Sequence, residues 1–199
     1  MENPGLSSEI AAAAARIVVE EGLEYGPAKR RAVRQLSLPA RAKLPGNAEV
    51  EDAVFEYIAI FCAQTQPAEL AALRRLALVW MQRMARFRPH LTAAVWRGSA
   101  TRRSDIHIDL FCDDSKSAEI ALIDLLVAYT PRTIPGMRGD MVDVLSMHAL
   151  CPGLDETVGV HLMIYDLDDL RGALRRDAKG RMPRGDLDAV HRLVEGNAS

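Results

Sequence analysis

Cysteine is scarce: Cys62, Cys112 and Cys151 are the three in 199 residues. They are odd in number and far apart, and no Cys-x-x-Cys pair occurs. That spacing argues against a zinc ribbon or a disulfide framework and predicts reduced thiols in a cytoplasmic protein. Net charge is nearly absent too: 25 basic residues against 27 acidic ones give −2. No global field favours nucleic acid, so any polyanion site must be a local patch. No apolar run approaches the roughly 18–20 residues that span a bilayer, which predicts no membrane segment. The run Ile10 to Val19 follows Glu9 and precedes Glu20-Glu21, whereas a secretory leader has a basic front. There is no internal repeat, and the alanine run reads as helix.

What is present is an ordinary folding composition, 49% hydrophobic and 26% charged. It suits one medium domain, or a small domain with a helical appendage. Ser7-Ser8-Glu9 opens a helix that Gly22 closes, and Gly26-Pro27 opens a second over Ala28 to Gln35. Pro39 to Asn47 reads as a loop. Val50, Val54, Tyr57, Ile58 and Phe61 give one apolar face to a helix over Glu49 to Gln64. Leu70, Leu73, Leu76, Trp80, Met81 and Met84 repeat the pattern from Pro67 to about Phe87, and Pro89 stops it.

The texture then changes. Leu91 to Trp96, Ile106 to Phe111, Met141 to Met147 and Val158 to Tyr165 read as strands. Helices are predicted over Ser115 to Val127, Leu167 to Arg175 and Asp186 to Glu195, and Lys179 to Gly185 as a basic loop. The expected fold is α+β (mixed α/β): a helical region over 1–88, then a small mixed β-sheet flanked by helices over 89–199.

The strand from Ser104 to Phe111 carries the chemistry. Side chains alternate along a strand, so Asp105, His107 and Asp109 share one face while Ile106, Ile108 and Leu110 share the other. Two carboxylates beside an imidazole repel unless a cation or solvent relieves them. Carboxylates converging on a hard cation suit Mg²⁺ shared with a substrate's phosphates. Upstream, Gly98-Ser99 is a turn whose backbone N–H groups can cradle an anion, and Arg97, Arg102 and Arg103 surround it. Asp143 lies among apolar residues, where an unpaired carboxylate is costly, so a partner or a metal is expected.

The order strand, Gly98-Ser99, polar turn, Ser104-Asp105 and Asp109 on a strand resembles the active-site region of the polymerase-beta-like nucleotidyltransferase superfamily. The whole chain is also similar to a group of bacterial nucleotidyltransferase-like proteins, through the Ala-rich helix ending in Glu20-Glu21-Gly22 and the Ala28-Lys29-Arg30-Arg31-Ala32 stretch. The resemblance implies transfer of a nucleoside monophosphate from a nucleoside triphosphate, supported by Mg²⁺ or Mn²⁺. Gly98, Ser99, Arg102 and Arg103 would hold the triphosphate. Asp105 would be the first carboxylate and Asp143 the third. His107 stands where the family's second carboxylate falls, so His107 or Asp109 would complete the metal set. Asp109 lies roughly 13 Å from Asp105 by strand rise. The interval from Ser99 to Asp105 is also shorter than the family's.

A competing expectation keeps the fold and loses the chemistry, leaving a module that binds nucleotide, RNA or a protein partner. Lys29, Arg30, Arg31 and Arg34 on the second helix are its candidate polyanion surface. A third expectation is a metal-dependent hydrolase using His107, His148 and His161, although apolar flanks make the last two read as structural.

Overall fold

A computed structural model describes residues 4–196. In chain order the helices and strands are α1 (Pro4–Glu21), α2 (Tyr25–Gln35), α3 (Asn47–Phe61), α4 (Gln66–Arg83), β1 (His90–Thr92), α5 (Ala93–Arg97), β2 (Ile106–Phe111), α6 (Ser115–Asp124), β3 (Thr130–Pro135), β4 (Met141–Cys151), β5 (Glu156–Tyr165), α7 (Leu170–Ala173) and α8 (Leu187–Gly196). The fold is mixed α and β, as the periodicities predict. Among the described residues, no helix is long and apolar enough to cross a membrane.

The chain divides into two compact units. One holds the residues up to Pro67 together with Ser99–Ser104; the other holds Ala68–Gly98 and the chain from Asp105 onward. Most of α4 therefore groups with the sheet, not with the helices before it. In the first unit, Ile10, Ala14 and Ile17 of α1 meet Ala28 and Ala32 of α2 and Val50 and Val54 of α3. These residues recur at three- and four-residue spacing, so each helix buries one stripe against the others.

The second unit is built on a five-stranded sheet of order β1-β2-β5-β4-β3. β2 and β5 run parallel, and the remaining neighbours are antiparallel. Leu91, Ile108, Leu162 and Leu145 align across four strands, and all are buried on one face. Each such side chain contributes about 1.5–3 kcal/mol by leaving water. Ala118 and Leu122 of α6 are buried in this unit as well.

Two strands differ from expectation for local reasons. The strand expected over Leu91 to Trp96 stops at Thr92 and turns into α5. Arg74 of α4 donates to the carbonyls of Val95 and Trp96, which satisfies the end of that short helix. Strand β3 was not expected, because Pro131 and Pro135 interrupt it. It lies at the sheet edge, where a residue without an N–H costs no ladder bond on the outer side.

Candidate functional site

Register turns the strand sequences into rows. Thr92, His107, His161, Ser146 and Thr130 stand side by side across all five strands, on the face opposite Leu91 and Ile108. Every side chain in that row is polar. One step along the same face toward the start of β2 lie Asp105 and Gly159, with His148 opposite Gly159. One step the other way lie His90, Asp109, Met163, Val144 and Arg132.

The two ends of this face are built differently. At the Asp109 end, Phe111, Val144, Met163, Tyr165 and Ala173 form a small buried cluster with Leu167 and Leu170 packed on it. Asp109 is 1% exposed and forms an ion pair with Arg184. Arg184 also donates to the carbonyl of Ala173 at 2.7 Å. Burial pushes the Asp109 carboxyl above the ordinary carboxylate range, and the Arg184 charge opposes that shift. Burial likewise drives the nearby Tyr165 hydroxyl up to about 12.

At the other end the face is open to water. Asp105 Oδ1 accepts from the Gly159 N–H at 3.1 Å, and Oδ2 lies 3.1 Å from His161 Nε2. His161 Nδ1 lies 2.9 Å from Ser146 Oγ. The His107 and His161 rings sit 4.9 Å apart, tilted by 36°. The bond to His161 holds the Asp105 carboxyl below its ordinary range, assisted by the imidazole's charge and the Gly159 N–H against partial burial. Gly159 leaves room for this carboxylate: a Cβ at that position would fall 2.5 Å from Asp105 Oδ1, so Asp105 would have to shift.

Asp105, His107 and Asp109 do share a face, as alternation requires, but they do not act as one group. Asp105 is held by His161 and Gly159, and Asp109 by Arg184. Asp143 fails to join them for a geometric reason. It is three residues from Ser146 on β4, so it points to the opposite face, and β5 separates its strand from β2. The expected convergence of Asp105 and Asp143 as first and third carboxylates is therefore not formed. His107, His148 and His161 share one face, yet no three or more His, Cys, Asp or Glu side chains among the described residues form a group able to hold a metal ion.

The expected phosphate turn falls at the division between the units. Gly98 ends α5 at φ +92°, a conformation that favours glycine. Ser99 to Ser104 is held in the helical unit, where Gln66 donates to the Ala100 carbonyl and Thr101 to that of Val19. The Ser99 hydroxyl is buried and has no hydrogen-bond partner, which costs about 1–3 kcal/mol. Arg102 and Arg103 are exposed. On α2, Lys29 donates to the Pro45 carbonyl and to Asn47 Oδ1, and Arg31 pairs with Glu21. Half of the expected polyanion surface is thus engaged inside its own unit, while Arg30 and Arg34 are exposed.

Ser146, Gly159 and Arg184 were not singled out from the sequence, and His161 entered only as one of three histidines that could bind a metal. Alternation within β5 puts Val160 and Leu162 inward and His161 outward, but the strand on each side of His161 is known only from register. Comparison with protein-family models, curated proteins and solved structures finds no match.

Proposed function

We propose that the chain is a nucleotidyltransferase-like module that binds a nucleotide without carrying out metal-dependent transfer. The chain order supports the first half of this reading: β1, a short helix, Gly98 at positive φ, a polar turn, then Asp105 at the mouth of β2. The observation that carries the second half is the commitment of the carboxylates. Asp109 is spent on Arg184, Asp105 on His161 and Gly159, and Asp143 faces the other way. Metal-assisted phosphoryl transfer needs carboxylates that share a cation with the phosphates. In this reading any Mg²⁺ arrives with the triphosphate and is not held by the protein. A surface for RNA finds less support, because Lys29 and Arg31 already have partners.

The test is thermal shift and titration calorimetry with ATP, GTP, CTP and UTP, each in Mg²⁺ and in EDTA, alongside a pyrophosphate assay. One of the four is expected to bind equally well in both media and to release no pyrophosphate. At 100 times its dissociation constant it should add about 2.7 kcal/mol of stability. Mg²⁺-dependent pyrophosphate release that disappears in Asp105→Asn would restore the enzyme reading. No response to any of the four would remove the nucleotide.

A further inference from the structure

The open end of the polar face holds an arrangement that the nucleotide reading does not use. Ser146, His161 and Asp105 come from β4, from β5 and from the residue before β2. They form a continuous chain of hydrogen bonds: Ser146 Oγ to His161 Nδ1 at 2.9 Å, and His161 Nε2 to Asp105 Oδ2 at 3.1 Å. Hydroxyl, imidazole and carboxylate in that order are the parts of an activated nucleophile: an attacking oxygen, its base, and a group that orients the base.

The proton positions follow from the partners. Asp105 is an acceptor at both oxygens, and Gly159 N–H already occupies Oδ1. His161 must therefore donate from Nε2 to Oδ2. In neutral imidazole that leaves Nδ1 as a lone pair, facing Ser146. The Ser146 hydroxyl then donates to Nδ1, which is the tautomer a general base needs. The arrangement is held in place from below. Glycine at 159 vacates the volume the carboxylate fills, and direct cross-strand pairing puts His161 next to Ser146. Register also places Thr130 beside Ser146, at roughly 4.5–5.5 Å between Cβ atoms. Water reaches the far end of the chain: the His161 side chain is 16% exposed and that of Asp105 51%.

We propose that Ser146 is a nucleophile, with His161 as its base and Asp105 as the positioning residue, and that this face hydrolyses small activated carboxylic esters without a metal. In the first step Oγ attacks the ester carbonyl carbon while its proton passes to His161 Nδ1. The carbon–oxygen bond to the alcohol then breaks, and the alcohol leaves with the proton from Nδ1. Water attacks the acyl-serine in turn, gives a proton to Nδ1, and releases the carboxylic acid as Ser146 regains its proton. The step is independent of whether the chain binds a nucleotide.

A fluorophosphonate tests the nucleophile directly. Attack forms an Oγ–phosphorus bond and expels fluoride, and peptide mass mapping locates the adduct. The full chain is expected to be labelled at Ser146 and to hydrolyse p-nitrophenyl acetate, and Ser146→Ala is expected to do neither. His161→Gln should slow labelling at least about 100-fold, the usual worth of a general base. Asp105→Asn is the sharper variant. Gly159 N–H demands an acceptor at the inner position, so the new amide turns its oxygen to Gly159 and its NH₂ to His161. Nε2 must then accept, the proton moves to Nδ1, and the base is lost. The expected readouts are a drop in kcat with KM little changed, and nitrogen-15 shifts that report the His161 proton moving from Nε2 to Nδ1. A merely structural chain would show the tautomer change without any labelling at Ser146. The proposal falls if the folded wild-type protein takes no label at Ser146, or if His161→Gln, shown folded by circular dichroism, is labelled at the wild-type rate.

Discussion

Asp105, just before β2, and Asp109, within it, sit four residues apart on the same face of the sheet, and they have opposite environments. Asp109 is sealed under α7 and the following loop, with a guanidinium as its partner. Asp105 is half in water, with an imidazole and a backbone amide as its partners. Alternation fixes which face a side chain takes. It does not fix what lies over that face, and depth decides whether a carboxylate is a structural charge or a chemical group. The buried pair has an all-or-nothing character, because either charge left alone would be poorly solvated. The open chain can lose one member and rely on water.

That contrast predicts its largest effect at Arg184. Arg184→Ala leaves the Asp109 carboxylate buried without its counter-ion and should cost about 3–5 kcal/mol in urea denaturation. The double variant Asp109→Leu with Arg184→Met should recover most of the loss, since it removes both charges and fills the space. At the open end, His161→Ala should cost about 1 kcal/mol or less, as exposed pairs do. Equal losses at the two ends would erase the distinction.

The next effect in size is steric. Gly159→Ala puts a methyl 2.5 Å from Asp105 Oδ1, so the carboxylate must move. A loss of about 1 kcal/mol is expected, the low end for overpacking, because the atoms met are the end of a half-exposed side chain. The His161 Nε2 proton should lose its acceptor, which nitrogen-15 shifts of the ring would report. An unchanged His161 spectrum would show that Asp105 adjusts without leaving its partner.

Much of this fold was legible from pattern. The three-and-four spacing of Val50, Val54 and Ile58, and the alternation of Ile106, Ile108 and Leu110, report one-sided burial wherever they occur. β3 was hidden because prolines argue against strands everywhere except at an edge, and edges are set by the whole sheet. Thr92 ends β1 early because Arg74, far back in sequence, supplies donors to α5. The candidate site was half legible for a related reason. Asp105 and His107 stand out within one strand, but His161 and Ser146 join them through pairing with β5 and β4. Arg184 lies 75 residues from Asp109 in a loop read only as basic. Asp143 was placed in the set by analogy, whereas its parity against Ser146 puts it on the other face.

The smallest effect is in the acid limb of stability, and there the two carboxylates should pull in opposite directions. Asp105 has a folded-state pKa below its unfolded value, since His161 and Gly159 favour its charged form. Between those two values the unfolded chain binds more protons, so stability rises with pH. That contribution is present above the unfolded pKa, near 4 for an aspartate, and is lost as pH falls through the folded one. Asp109 has a folded-state pKa above its unfolded value because of burial. Between those values the folded chain binds more protons, so stability falls with rising pH. Denaturation midpoints of the wild type and of Asp105→Asn, measured from about pH 3 to pH 6, would separate the two. Removing Asp105 should take away the rising part of the curve below about pH 4 and leave the falling part above it. Half-exposure of Asp105 keeps this change under about 1 kcal/mol. An acid limb identical in the two proteins would mean that solvent already screens the bond between Asp105 and His161, and that only the buried carboxylate is electrostatically distinct.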